Sequence, residues 1–209
     1  MSKGAMIAGL RLGAALAIVT CLGFQAWADL TYGTFTWAQL PVYFTPIAAV
    51  AAIAALVASA CAGETEPRWV ALLRVNAATY AVITGVVYWA VLPHYGQPTF
   101  PWANAMIHGG TGVILVADWV LVGKRERLPW HTLWTVFAVP AVWLGYIAAT
   151  ERIGGRIPYE FLDPSRGAGR LTATVAMLIV AGVGVVSVLR LCTGLRVLPS
   201  AHEHAVASD

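Results

Sequence analysis

The sequence predicts an all-α integral membrane protein, a bundle of six transmembrane helices, and composition gives the first reason. Of the 209 residues, 59% are hydrophobic and only 11% are charged, whereas roughly a quarter of positions in a soluble domain are charged. A soluble core of this length could not bury so much apolar surface, and a disordered chain would need more charge. The net charge of +3 makes nucleic acid a disfavoured partner.

Length gives the second reason, because a transmembrane helix needs about 20 predominantly apolar residues. The chain has six such runs, separated by short polar or proline-marked breaks, and each is far longer than a strand of a membrane β-barrel. One domain is predicted over residues 1–197, followed by a short flexible tail at 198–209. The predicted spans are residues 5–27, 41–61, 69–92, 103–122, 131–149 and 169–192.

The distribution of Lys and Arg is the third reason, since positive charge in short loops is retained on the cytoplasmic side. Nine of the 13 basic residues fall on one side of the predicted topology and four on the other. Both termini are therefore expected in the cytoplasm. The nine are Lys3, Arg11, Arg68, Arg74, Lys124, Arg125, Arg127, Arg190 and Arg196, and the four are Arg152, Arg156, Arg166 and Arg170.

The first span has a second interpretation, because its basic start, its apolar stretch after Arg11 and the tripeptide Ala26-Trp27-Ala28 are typical of a cleaved signal peptide. The apolar stretch is long for a signal sequence, and Trp27 suits a membrane interface. We therefore expect a retained helix, and cleavage would leave the rest of the topology unchanged.

Polar side chains inside the spans are the functional candidates, because in hydrocarbon each needs a partner, a water-filled cavity or a chemical task. Two spans carry polar residues at helical spacing, and two such stripes would line a cavity if they faced each other. The alternative for any single threonine is a structural hydrogen bond between helices. The stripes are Asn76, Tyr80, Thr84 and Tyr88 in the third span and Asn104, His108 and Thr111 in the fourth.

Depth divides the polar residues into an outer and an inner layer. Thr45 in the second span and His108 in the fourth both lie near the outer start of their helices, so they are expected at similar depth. Asp118 lies about 15 Å further along the fourth helix than His108, at 1.5 Å per residue. We expect Asp118 to pair in the inner layer with Arg74, where Arg11 also arrives.

Thr45 and His108 together are a candidate catalytic pair. A threonine hydroxyl is a weak nucleophile until a neighbouring base removes its proton, and histidine, which titrates near neutrality, is the usual base. A lone histidine in a span is often only a hydrogen-bonded structural residue. A hydroxyl at matching depth favours the catalytic interpretation.

Short motifs follow one another along the chain in a characteristic order. Tyr43-Phe44-Thr45 opens the second span, Thr84-Gly85-Val86-Val87-Tyr88 ends the third, Asn104, His108 and Asp118-Trp119 occupy the fourth, and Pro158-Tyr159-Glu160-Phe161-Leu162-Asp163 lies in the last outer loop. In this order they resemble the androgen-induced membrane hydrolase (ADTRP-like) family, and especially its bacterial members. The resemblance covers nearly the whole chain.

The resemblance implies an integral-membrane threonine hydrolase that cleaves fatty-acid esters of hydroxy fatty acids. Thr45 would be the nucleophile and His108 the general base, and the ester carbonyl would be presented from the outer leaflet of a bacterial cytoplasmic membrane. Asn104 and Tyr88 are the predicted oxyanion donors. The expected partners are the ester substrate and membrane lipids, with no cofactor and no metal.

A third group should orient His108, and the outer loop offers Glu160 and Asp163. The favoured alternative for either carboxylate is a salt bridge with an arginine of the same loop. The loop could also act as a lid. Its arginines are Arg152, Arg156 and Arg166.

Other functional classes stay open. A transporter with a 3+3 helix arrangement is the runner-up, because Pro46 and Pro140 lie in corresponding spans of the two halves. A non-catalytic membrane protein is a further alternative. Haem is disfavoured because His108 and His131 lie at different depths, although His94 in an outer loop stays a conceivable partner of His108. Retinal and zinc are disfavoured because both lysines are cytoplasmic and no ligand spacing is present. The residues concerned are His94, His108, His131, Lys3 and Lys124.

Overall fold

The computed structural model describes residues 3–33, 41–62, 66–92, 98–122, 128–155 and 157–194. Within these ranges the chain is helical without strands, and six helices are long and apolar enough to cross a membrane. The protein is therefore an integral, multi-pass membrane protein of the predicted all-α class. In chain order the helices are α1 (Lys3–Thr31), α2 (Phe44–Cys61), α3 (Arg68–Val91), α4 (Pro101–Leu121), α5 (Leu133–Arg152) and α6 (Ala168–Leu191).

All six predicted spans are confirmed, although some of their ends differ. Helix α1 continues to Thr31 instead of ending at residue 27, because local side-chain hydrogen bonds support polar residues beyond the apolar run. Gln25 donates to Asp29, and the Thr31 hydroxyl donates to the Trp27 carbonyl. Helix α2 begins at Phe44 instead of residue 41.

Several predictions concern residues outside the described ranges. These are His94, Lys124, Arg125, Arg127, Arg156, Arg196 and the tail at 198–209. For the described part of the chain, we call the end at which α2, α4 and α6 begin the predicted outer end, and the opposite end the predicted inner end.

Helix α3 lies at the centre of the bundle. Its most apolar stretch is 56% buried, against 11% for α6, and it contacts α2, α4 and α6. Small residues at helix contacts allow backbones to approach closely, and alanine is the commonest buried residue on both α2 and α3. The buried alanines are Ala48, Ala49, Ala52 and Ala55 on α2 and Ala71, Ala77, Ala78 and Ala81 on α3.

A buried ion network joins three helices at the predicted inner end. Asp118 accepts from Arg11 Nε at 2.8 Å and from Arg74 Nη2 at 2.5 Å, and Arg74 also donates to Glu66 at 2.6 Å. No more than 11% of any of these side chains is exposed. The inner ion pair predicted from depth is present, and it extends to two arginines and two carboxylates whose charges cancel.

Replacing Asp118 by Asn is expected to lower the free energy of unfolding by about 3–5 kcal/mol, because two buried arginines would then share one carboxylate. Thermal unfolding in detergent, followed by tryptophan fluorescence, measures the change. The matched control is Glu160→Gln, which removes a carboxylate from an ion pair whose side chains are 57% and 44% exposed. Equal melting temperatures for the two variants would contradict this assignment.

Candidate functional site

A cavity of about 1290 Å³ opens among five of the helices and the loop that follows α5. Its volume exceeds the roughly 300–1,000 Å³ of ordinary ligand pockets. Most of the side chains around it are aliphatic or aromatic. The polar ones that meet near the predicted outer end are Thr45, Tyr88, Asn104, His108 and Tyr159.

Thr45 and His108, which were predicted at similar depth, are in contact. Thr45 Oγ1 lies 3.3 Å from His108 Nε2, and His108 Nδ1 lies 3.1 Å from the backbone carbonyl of Asn104. A carbonyl oxygen can only accept, so Nδ1 carries the ring proton and Nε2 of the neutral ring is the acceptor. The Thr45 hydroxyl therefore faces an unprotonated nitrogen.

Two π-helical turns bring the rings of Tyr88 and His108 together. One turn is Val87–Val91 at the end of α3, and the other is Met106–Gly110 within α4. The two rings stack with centroids 3.8 Å apart and planes inclined by 19°. The Asn104 side-chain amide donates to the Tyr88 hydroxyl at 2.7 Å. Single π-turns inside α-helices frequently occur at functional sites, because they change the direction of side chains.

Gly85 permits the close approach of α3 to α4. A Cβ atom built on Gly85 would lie 2.5 Å from the carbonyl oxygen of His108, a distance at which backbone atoms overlap. Any larger residue would push the two helices apart. The glycine therefore sets the position of His108 relative to α3.

Two side chains hold the start of α2, where Thr45 lies. The Phe44 N–H, which has no acceptor inside the helix, donates to the Tyr159 hydroxyl at 3.3 Å. The Trp143 indole N–H donates to the Val42 carbonyl at 3.2 Å. The loop after α5 and α5 itself thus fix the position of Thr45.

Tyr159 also lies at the site, in a role that the sequence does not predict. Burial raises the pKa of Tyr159, and this effect outweighs the hydrogen bonds with the Phe44 backbone and the Thr45 side chain, which lower it. The phenol is therefore neutral at physiological pH. Because its oxygen accepts from Phe44, its O–H remains a donor next to Thr45.

The expectation that a loop carboxylate orients His108 is wrong. The Asn104 carbonyl occupies Nδ1, since the π-turn brings the ring over its own helix. Glu160 borders the cavity but pairs with Arg166 at 3.1 Å, which confirms the salt-bridge alternative. Asp163 accepts from the Ser165 N–H at 2.9 Å.

The two polar stripes line the cavity only in part. Tyr80, Thr84 and Tyr88 of the first stripe border it, and within the described residues the buried Thr84 hydroxyl has no hydrogen-bond partner. Asn76 instead bonds to Thr135 of α5 at 3.1 Å. Thr111 donates to the Met106 carbonyl at 3.0 Å and has a structural role at the π-turn.

The features behind the alternative functions have local explanations. Pro46 is the third residue of α2, where a missing N–H breaks no helical bond. Pro140 follows the change from the 3-10 turn Trp130–Phe137 to α-helix. Among the described residues, no three His, Cys, Asp or Glu side chains form a group that could hold a metal ion.

Comparison with known proteins identifies no relative. No protein-family model, curated protein or solved structure matches this chain. The family resemblance therefore rests on the motifs, and the function has to be inferred from the geometry of the site.

Proposed function

We propose that the protein is an integral-membrane hydrolase that cleaves a lipid carboxylic ester, with Thr45 as nucleophile and His108 as general base. The supporting observation is the 3.3 Å contact between the Thr45 hydroxyl and the His108 nitrogen that can accept its proton. The contact lies in a large, mainly apolar cavity, which suits a fatty-acyl chain. The family resemblance narrows the substrate to fatty-acid esters of hydroxy fatty acids.

The reaction proceeds in two steps. His108 Nε2 takes the proton of Thr45 as Oγ1 attacks the ester carbonyl carbon, and the resulting imidazolium returns a proton to the leaving alcohol as the ester C–O bond breaks. The product is an acyl ester of Thr45. Water, deprotonated by His108, then attacks this ester, releases the fatty acid and restores the threonine hydroxyl.

The positive charge that forms on His108 is stabilised without a carboxylate. The Nδ1–H donates to the Asn104 carbonyl, and the face of the Tyr88 ring lies 3.8 Å from the imidazole centroid. An aromatic face attracts a cation by about 0.5–2 kcal/mol, more when the pair is desolvated. The carbonyl and the ring together orient the imidazole and stabilise its charge, as an aspartate does in soluble catalytic triads.

We propose three donors for the oxyanion of the tetrahedral intermediate. The backbone N–H of Thr45 is in the first turn of α2, where it has no helical acceptor and lies at the positive end of the helix dipole. Tyr159 and Tyr88 each accept one hydrogen bond and keep an O–H to donate. Asn104, also predicted as a donor, uses one amide hydrogen to bind the Tyr88 hydroxyl and keeps a second hydrogen to donate.

Removing either member of the pair is expected to abolish hydrolysis. Thr45→Ala and His108→Ala should each lower kcat for p-nitrophenyl and lipid esters by at least about 10³-fold, whereas Thr45→Ser should keep activity. A fluorophosphonate probe should label the wild type and lose its site in Thr45→Ala. The control is Thr20→Ala, which removes an exposed hydroxyl on α1 that bonds only to the Leu16 carbonyl.

Wild-type turnover in Thr45→Ala or His108→Ala, at wild-type melting temperature, would disprove the assignment. Substrate-dependent flux into liposomes without ester turnover would favour a transporter instead.

Tyr159→Phe tests the donor next to the nucleophile. It keeps the ring and its stacking on Phe161 and removes the O–H, so kcat should fall about 10²-fold while KM stays nearly constant. Tyr146→Phe, at a partly exposed site on α5, is the matched control. An unchanged kcat would exclude Tyr159 from the oxyanion site, and a parallel loss of melting temperature would indicate a structural role only.

The proposal includes a location in a bacterial cytoplasmic membrane, with both termini inside and the Thr45 site toward the outer leaflet. The placement of Lys and Arg supports this direction of insertion, and the bacterial membrane follows from the family resemblance. Cys61, exposed at the end of α2, should then react with a membrane-impermeant maleimide only after the membrane is opened. An Asp163→Cys variant should react in intact cells. The reverse pattern, read by mass spectrometry of the labelled peptides, would invert the topology.

A further inference from the structure

The cavity continues from Thr45 into the space between α5 and α6, and we call this part the acyl arm. The side chains that α5 and α6 contribute to it are all aliphatic. A group packed against these side chains is therefore held best if it is apolar, because a polar group would lose its hydrogen bonds with water there. The residues of the arm are Pro140, Ala141 and Leu144 on α5 and Val175, Leu178 and Ile179 on α6.

The acyl arm is narrowed at one end, which we call its closed end, where Phe137 of α5 meets Gly182 of α6. A Cβ atom built on Gly182 would meet the Phe137 ring at 3.5 Å, so α5 and α6 are in contact there. Val136, next to Phe137, is buried in the core and also borders the cavity. Between Val175 and Gly182 the arm runs about 10 Å along α6, at 1.5 Å per residue.

The side of the acyl arm is open. Ile179 borders the arm although 44% of it is exposed, and it lies on a helix that is long and apolar enough to cross a membrane. In a bilayer this surface would face lipid tails. A hydrophobic chain could therefore enter the arm sideways from the bilayer without crossing water.

We infer that the acyl arm binds the fatty-acyl chain of the ester, and that the contact between Phe137 and Gly182 sets the longest chain accepted. This inference rests on the proposed function. The bond to be cleaved lies at Thr45, at one end of the arm, and the chain extends from it toward the closed end. Each methylene that enters the arm raises kcat/KM roughly fourfold, until the chain reaches the Phe137 ring.

A series of p-nitrophenyl esters tests the arm, because the alcohol stays constant while the acid lengthens from butyrate to stearate. Gly182→Leu fills the closed end and should lower kcat/KM at least about tenfold more for the longest good substrate than for butyrate. Gly184→Leu is the matched control, because a Cβ atom there meets nothing within 4 Å. Its chain-length profile should equal that of the wild type.

Phe137→Ala makes the opposite change, because removing the ring lengthens the acyl arm at its closed end. The preferred acid should become longer in this variant, and the result decides the question if Gly182→Leu does not fold. If the wild type hydrolysed none of these esters, the proposed function itself would be refuted. Hydrolysis with the wild-type chain-length preference kept in the folded Gly182 and Phe137 variants would overturn the acyl arm and leave the proposed function standing.

Discussion

The hydrogen bond from His108 Nδ1 to the Asn104 carbonyl is the interaction on which the candidate site depends. It fixes the ring tautomer and leaves Nε2 free to accept from Thr45. Within hydrocarbon a backbone carbonyl is a less costly partner than a carboxylate, because an ionised group must be paired or solvated. The π-turn of α4 makes this partner reachable without a residue from another helix.

The remaining contacts hold His108 and the Asn104 carbonyl in position relative to Thr45, the proposed nucleophile. Gly85 brings α3 against the backbone of His108, which places the Tyr88 ring over the imidazole. Tyr159 and Trp143 hold the start of α2. The charged residues that stabilise the bundle lie at the opposite end, about 15 Å from His108 along α4, so the polar site and the ion network do not compete for partners.

The sequence allowed the helices and both polar layers to be predicted. Hydropathy follows from the residue types, and the length of a span and the depth of a residue follow from the regular rise per residue. Thr45 with His108 and Asp118 with Arg74 were found in this way. The orientation of His108 was missed, since spacing arguments assume 3.6 residues per turn and the π-turn at Met106–Gly110 departs from that spacing.

Tyr159 was missed for a different reason. Its position depends on how the loop after α5 folds back onto α2. Helical spacing in the sequence gives no information about the path of this loop. Its place in the loop motif was the one available indication. Asn76 showed the opposite error, because its spacing matched the stripe although its partner is Thr135 on α5.

The inner ion network has a consequence for membrane insertion. Arg11, Arg74 and Asp118 come from α1, α3 and α4, so they can meet only if these three helices enter the bilayer in the correct relative directions. A helix inserted upside down would leave a charge at the wrong depth without a partner, at a cost of several kcal/mol. A chain with one of these helices inserted in the wrong direction would therefore not reach this folded state.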